Sequence, residues 1–387
     1  MMQHKTGAGR LSTGTEQTSG DLLKVMLLVT HSANGGTQEL FSNLGEAFQA
    51  RGHEVCLTAL YPASIDDMMQ PTGSLEWSHV QPRRRATSLI PALSSFVRRT
   101  DPDVILTALP AAGVLAPLAT QVAGVRSRIV VTHHTPVETY APALNRLDSF
   151  TGRLPCVRSI VSVSGAVNAS LAGRSPGYRA KTSVIHNSLP PAIEDHLALL
   201  AERRRARPEG RRLAALGRLA EQKNYPVLLR AMARINDAIL TIVGSGPDEQ
   251  PLEALAQQLG VRERVVFAGS KSRSEALAIL ADSDVFVQPS LFEGHSLALI
   301  EAAKLGVPLI VSDVPAQVEG ITADGAACGV VVGVHDDASL ATEIEKMLGD
   351  ADHRRAWTER AEALGRSTTF ARTVDSYEAF LRSAAQA

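Results

Sequence analysis

Residues 288–303 read Gln288-Pro289-Ser290-Leu291-Phe292-Glu293-Gly294-His295-Ser296-Leu297-Ala298-Leu299-Ile300-Glu301-Ala302-Ala303, and Gly306 and Pro308 close the stretch. Strand, loop and helix follow one another here. Gly294 and Ser296 suit a tight loop opening a helix, where free backbone N–H groups and the helix dipole favour a phosphate. Gly306 is a natural helix stop. Glu293 falls in the loop and Glu301 about two turns into the helix, so both can face one cleft at the carboxyl end of the strand. Two carboxylate acceptors suit a hydroxyl-rich ligand. Taken singly, the same residues read as an acidic helix start and a solvated helix position.

The pattern around this segment is repeated α/β alternation. Short apolar runs at Leu213 to Leu216, Ile239 to Val243, Val265 to Ala268, Val285 to Gln288 and Leu309 to Val311 predict strands with helices between them. The first half does the same: Lys24 onward, then Asn34-Gly35-Gly36 and a helix to Arg51, then Val55 to Leu60, Val104 to Ala108, Ile129 to Thr132 and Ser159 to Val163. Parallel sheets covered on both faces are implied. The division predicted is a disordered tail over 1–20, a first domain over 21–195 and a polar, basic linker over 196–211. A second domain over 212–367 follows, and then a terminal helix over 368–387 docked on the first domain.

A chain of 387 residues is long enough for two cores. Hydrophobic residues at 44% and charged residues at 20% fit a soluble globular protein. Lys and Arg total 39 against 40 for Asp and Glu, which gives no global reason to expect nucleic acid. Cys56, Cys156 and Cys328 are scattered, without zinc or redox spacing, so a reducing cytoplasm is expected. The apolar stretch from Leu22 to Val29 is too short for a membrane span.

In its full context the 288–303 segment resembles the Glu-x7-Glu signature of family 4 retaining glycosyltransferases. The resemblance implies the GT-B fold, two Rossmann-like doubly wound domains facing a central cleft, and a nucleotide-sugar donor. It extends to Gly217-Arg218-Leu219 with Lys223-Asn224, similar to the family's basic donor loop. Ile242-Val243-Gly244-Ser245-Gly246-Pro247 looks like its glycine turn, and Ala281 to Val287 continues the match. The span is about Lys24 to Pro315. The family's motif implies that Arg218 and Lys223 bind the donor diphosphate, neutralising the leaving group as the sugar departs. Glu301 inherits a bond to the nucleotide ribose and Glu293 a place beside the donor sugar, neither as a covalent nucleophile. Gly244, Gly294, His295 and Ser296 join the donor-binding set by position. Two departures stand out: His295 sits where the family often has an aromatic or apolar residue, and Asn187-Ser188 where it often has Asn-Gly.

In the first domain, Gly35 and Gly36 let backbone approach a phosphate or acceptor, although Asn-Gly is also an ordinary turn. Thr132-His133-His134 places two imidazoles at a strand end, and the family's Thr-x-His register selects His134 as the one beside the transferred sugar; a structural histidine is the alternative. Asp282 and Asp284 read as structural rather than metal-binding, so no metal or cofactor is expected beyond the nucleotide-sugar co-substrate. The expected partners are that donor, UDP-sugar favoured, and a glycan, lipid-linked or small-molecule acceptor, as in exopolysaccharide or lipopolysaccharide synthesis. The runs Arg83-Arg84-Arg85 and Arg203-Arg204-Arg205 are read as solvated, with peripheral contact at the inner face of the plasma membrane as the other option. Rival readings are a glycoside hydrolase using Glu293 and Glu301, a dehydrogenase, and a catalytically silent nucleotide-sugar-binding protein. The incomplete Gly-x-Gly-x-x-Gly at both glycine loops argues against the dehydrogenase.

Overall fold

The computed structural model describes residues 22–64, 68–71, 73–80 and 89–386; the predicted tail and the run Arg83-Arg84-Arg85 lie outside these residues.

In β1 (Lys24–His31), Val25, Met26, Leu27, Leu28 and Val29 are all fully buried, the mark of a central parallel strand roofed by helices on both sides. With it run β2 (Glu54–Tyr61), β3 (Ser78–His79), β4 (Val104–Ala108), β5 (Arg128–His133), β6 (Val157–Ser162) and β7 (Thr182–Val184), in the order β3-β2-β1-β4-β5-β6-β7. The second sheet takes β8 (Arg212–Leu216), β9 (Ile239–Val243), β10 (Val265–Gly269), β11 (Val285–Gln288), β12 (Leu309–Ser312) and, after a small antiparallel hairpin of β13 (Thr322–Ala323) and β14 (Ala326–Ala327), β15 (Val330–Val332). Its order is β10-β9-β8-β11-β12-β15. All pairings within the two large sheets are parallel.

Both sheets therefore reverse direction beside their first strand, between β1 and β4 and between β8 and β11. Ligands of open α/β sheets bind at such switch points, outside the carboxyl ends of the strands. This is where the predicted glycine loop after β1, the basic loop after β8 and the Glu293 loop after β11 are found. Each predicted run forms a strand; β3, β7 and β15, of two or three residues, are too short to show a period.

The stretch predicted as linker differs. Residues Pro191–Arg205 form a helix whose Leu197, Leu200 and Ala201 pack in one cluster with Ala214 and Phe286 of the second sheet. The spacing of three and four that buries these residues is a helical signal, outweighed in the sequence by the charged face beside it. Nor is the arginine run there simply solvated: Arg204 is half-buried, its guanidinium donating to the carbonyls of Ala281 (3.1 Å) and Ser283.

The chain crosses back after the helix Ala351–Ser367, and the helix Phe370–Gln386 lies on the first domain. Phe370, Val374, Tyr377 and Leu381 share a cluster with Val25, Leu27, Val104 and Val130. Arg51 caps the contact by pairing with Glu378 and, at 2.6 Å, with Asp375.

The ring of Tyr377 is 1% exposed, and its hydroxyl is buried without a hydrogen-bond partner among the described residues. Tyr377→Ala should cost about 3–5 kcal/mol through the cavity it leaves, whereas Tyr377→Phe should be neutral or stabilising, because it removes an unmet donor. Denaturant unfolding midpoints decide this. A Phe variant as weak as the Ala variant would mean that the hydroxyl, not the ring, anchors the helix.

Candidate active site

The loops after β8 and β11 are stitched into one surface. Lys223 Nζ meets Glu293 Oε1 at 2.7 Å, and Ser290 Oγ donates to the same oxygen at 2.7 Å. Gln222 donates to the carbonyl of Phe292 at 3.1 Å and Asn224 to that of Pro289 at 3.1 Å, while the Leu291 amide donates to the Gln222 carbonyl at 2.8 Å. Glu293 is buried, so the pair with Lys223 offsets a desolvation that neither charge could bear alone. Beside it Arg218 is exposed and makes no side-chain hydrogen bond or ion pair among the described residues.

Glycine turns let the neighbouring loops pack closely on this surface. Gly244 has φ +140° and lies so close to its neighbour that a Cβ would fall 2.1 Å from the Gly217 carbonyl oxygen. Gly246 is packed equally tightly on the Leu219 carbonyl, so the turn after β9 lies directly against the basic loop.

Ser296 begins the helix Leu297–Lys304, but its hydroxyl does not cap it; it donates to Gln288 Oε1 at 2.9 Å. The helix start lies against the first domain, since a Cβ on Gly36 would be 3.2 Å from Leu297 Cδ1. Gly35 and Gly36 open the helix Gly36–Ala50 after β1, again without a side-chain cap. The Gly35-Gly36 turn and the second domain's short helix thus meet across the cleft.

His134, at the end of β5, is brought to the same place. A Cβ on Gly294 would be 1.9 Å from the His134 carbonyl oxygen, so the two backbones touch. Its imidazole is half-buried, Nε2 lying 2.7 Å from Thr132 Oγ1, and burial, reinforced by His133, pushes its pKa down to about 3. It is a neutral hydrogen-bonding group. His133 is fully engaged inside the fold, with Tyr140 and Tyr178 hydroxyls each 2.9 Å away.

Glu301 is buried on the helix Leu297–Lys304, where its Oε1 accepts from Arg273; the other arm of that guanidinium reaches Glu39 of the first domain. Burial pushes the Glu301 carboxyl up to about 7, with Arg273 opposing the rise and Glu39 adding to it. Sequence reasoning missed Arg273 and Glu39. The Ser272-x-x-Glu275 capping box was a readable signal for a helix start after β10, but the cross-domain partner has no local signature.

A second tie crosses the cleft at Glu319, which accepts from the amides of Gly165 (2.6 Å) and Ala166 (2.9 Å) and from His186 Nε2 at 2.7 Å. Burial works against its ionisation, yet these donors hold its carboxyl down to about 2. His295 belongs with this group rather than with Lys223 and Glu293. Its ring stacks on His186 with centroids 4.8 Å apart, in a cavity of about 300 Å³ lined also by Glu319, Arg372 and Thr373.

Asp284 anchors Arg207 at 2.6 Å and the Arg212 amide at 2.9 Å, and Asp282 pairs with Arg212 at 2.8 Å, so both aspartates tie down the segment leading into β8. Among the described residues no helix is long and apolar enough to cross a membrane.

Comparison with known proteins bears on both halves. Residues 34–192 match the family model described as Glycosyltransferase Family 4, and residues 201–364 that described as Glycosyl transferases group 1. The chain is 36% identical over 138 residues to an uncharacterized glycosyltransferase of Methanocaldococcus jannaschii, covering 35% of each protein. It is 33% identical over 162 residues to a D-inositol 3-phosphate glycosyltransferase of a Mycobacterium species, covering 38% of this chain and 35% of that one. These alignments span little more than a third of the relatives' own length. The crystal structure of Anabaena HepE in complex with UDP-glucose superposes with a TM-score of 0.76 at 17% identity, over 93% of this chain and 99% of that one, which establishes the GT-B fold. With each half matched in chain order and the loops of both gathered at one cleft, the chain belongs to the family 4, group 1 glycosyltransferases.

Proposed function

We propose that this chain is a retaining glycosyltransferase that moves a sugar from a nucleotide-sugar donor, UDP-sugar first, to a hydroxyl on a glycan, lipid-linked or small-molecule acceptor. The observation that carries the reading is the pair of half-buried Lys223 with buried Glu293, beside Arg218, which has no side-chain partner among the described residues. Two cations stand at one loop, one of them without a side-chain partner among the described residues, where a diphosphate would need neutralising as it leaves. Glu293 is bound by both Lys223 and Ser290, which quenches it as a nucleophile and leaves it an acceptor for sugar hydroxyls. This fits a front-face route in which the leaving phosphate takes the acceptor's proton. Holding donor and acceptor between the domains supplies the remaining rate through orientation. The UDP-glucose held by Anabaena HepE makes a uridine nucleotide the first donor to try, and the inositol phosphate in the Mycobacterium relative's name adds a phosphorylated polyol to the acceptor panel.

Purified protein is tested against UDP-, GDP-, ADP- and dTDP-sugars by thermal shift and nucleotide release. One donor should stabilise the protein, and Lys223→Ala and Glu293→Ala should each reduce release by about 10²-fold or more. Stabilisation by a donor without release under any acceptor would point instead to a silent nucleotide-sugar-binding protein, and no binding at all would end the proposal.

Arg218→Ala separates chemistry from folding. Because the side chain is exposed and unpaired among the described residues, its loss should leave stability within about 0.5 kcal/mol while turnover drops about 10²-fold. Unchanged turnover would remove Arg218 from the donor site.

A further inference from the structure

Arg273 is the first residue of the helix Arg273–Ala281, whose opening turn is fixed by the reciprocal Ser272–Glu275 capping box. From there its fork reaches two carboxylates, Glu301 of its own domain and Glu39 on the helix Gly36–Ala50 of the other. We propose that Arg273 is a positioning residue for the donor: one arm holds Glu301 ionised and aimed at the nucleotide ribose, and the other, on Glu39, makes that hold depend on the two domains being together. This rests on the reading of Glu301 given above.

The geometry supports it in three ways. Arg273 takes Oε1 of Glu301, and the carboxylate makes no other hydrogen bond among the described residues, so Oε2 is the acceptor left for a ribose hydroxyl. The planar guanidinium fork suits two carboxylates at once, and both of its terminal nitrogens are engaged here, one on each. Glu301 is the buried member of the three, and burial together with Glu39 opposes its ionisation while Arg273 favours it, so removing Arg273 leaves it the one that takes up a proton. A protonated Glu301 trades an acceptor for a donor.

Of the other charged groups around the helix Arg273–Ala281, Lys271 is exposed just before it and Glu275 is held by the Ser272 amide at 3.0 Å and hydroxyl at 2.6 Å. Glu194 pairs with Lys304 at 2.7 Å and Arg205 with Glu362 at 3.1 Å on the helices behind it, and His196 lies 3.4 Å from Ser274 Oγ.

The test compares variants across pH. Removing the negative charge of Glu39 eases ionisation of Glu301, so Glu39→Gln should carry nucleotide-sugar binding to lower pH. Removing Arg273 hinders ionisation, so Arg273→Gln should raise the midpoint by about one pH unit or more, with binding at pH 7 roughly tenfold weaker. Arg273→Lys, which keeps the charge without the fork, should fall between wild type and Arg273→Gln, and His196→Gln should leave the midpoint in place. Calorimetric titration with the nucleotide sugar that stabilises the wild type, from pH 5.5 to 8.5, reads these midpoints. Inorganic pyrophosphate, which has no ribose, serves as the second probe and should bind all variants alike. Coincident nucleotide-sugar profiles, a midpoint moved by His196→Gln, or pyrophosphate profiles that move in parallel would overturn the assignment alone. Failure of every nucleotide sugar to bind the wild type would remove the reading of the site and this assignment with it.

Discussion

Residue 294 has room for a hydrogen and nothing more. A Cβ there would fall 1.9 Å from the His134 carbonyl oxygen, a distance no carbon can occupy, so the loop carrying Glu293 lies on the end of β5 only because it is glycine. That backbone approach brings the carboxyl ends of the two sheets close together. At that separation Arg273 spans to Glu39, Glu319 reaches the Gly165 and Ala166 amides, and Leu297 touches the turn at Gly36. A wider gap would return each of these groups to water, where pairs of this kind contribute little.

The cleft is built from charges that satisfy one another before any ligand arrives. Burying Glu293 alone would be costly, and Lys223 and Ser290 remove that cost. Glu301 is the less settled member: one guanidinium serves two carboxylates, and burial leaves its carboxyl at about 7. Among the described residues Arg218 has no such partner. On the proposed reading, the site balances its acceptor groups internally and keeps one cation in reserve for the incoming diphosphate.

The strands were legible because parallel β-strands buried on both faces appear as unbroken apolar runs, as Val25 to Val29 does. The glycine and Glu-x7-Glu loops were legible because their chemistry is local. The helix Pro191–Arg205 was not, since three buried positions were set against a visibly basic stretch that turns out to hold Ala281, Ser283 and Asp284 in place through Arg204 and Arg207. Nor were the cross-cleft ties. Glu39 and Arg273 are 234 residues apart and Gly165 and Glu319 are 154 apart, and one sequence carries no signal for a pairing that only the packed domains create. The same holds for His295, whose position beside Glu293 and Gly294 in the chain does not reveal that its ring turns to His186.

Both departures from the family pattern become intelligible at that wall. Burial, with His186 adding to it, pushes the His295 pKa down to about 3, so a neutral flat ring stacked on His186 fills the place often given to an aromatic or apolar residue. Asn187 donates to the His295 carbonyl at 3.0 Å, and Ser188, standing where glycine is common, donates to Thr373 at 2.8 Å. The first crossover between the domains is thereby tied to the Glu293 loop on one side and to the returning helix Phe370–Gln386 on the other. Glycine at 188 would keep the turn and lose the second tie. The two substitutions therefore alter how firmly the crossovers are bound to each other, while Lys223, Glu293 and Ser290 keep their own contacts, which places this chain's individuality in the joint between its domains rather than beside the leaving group.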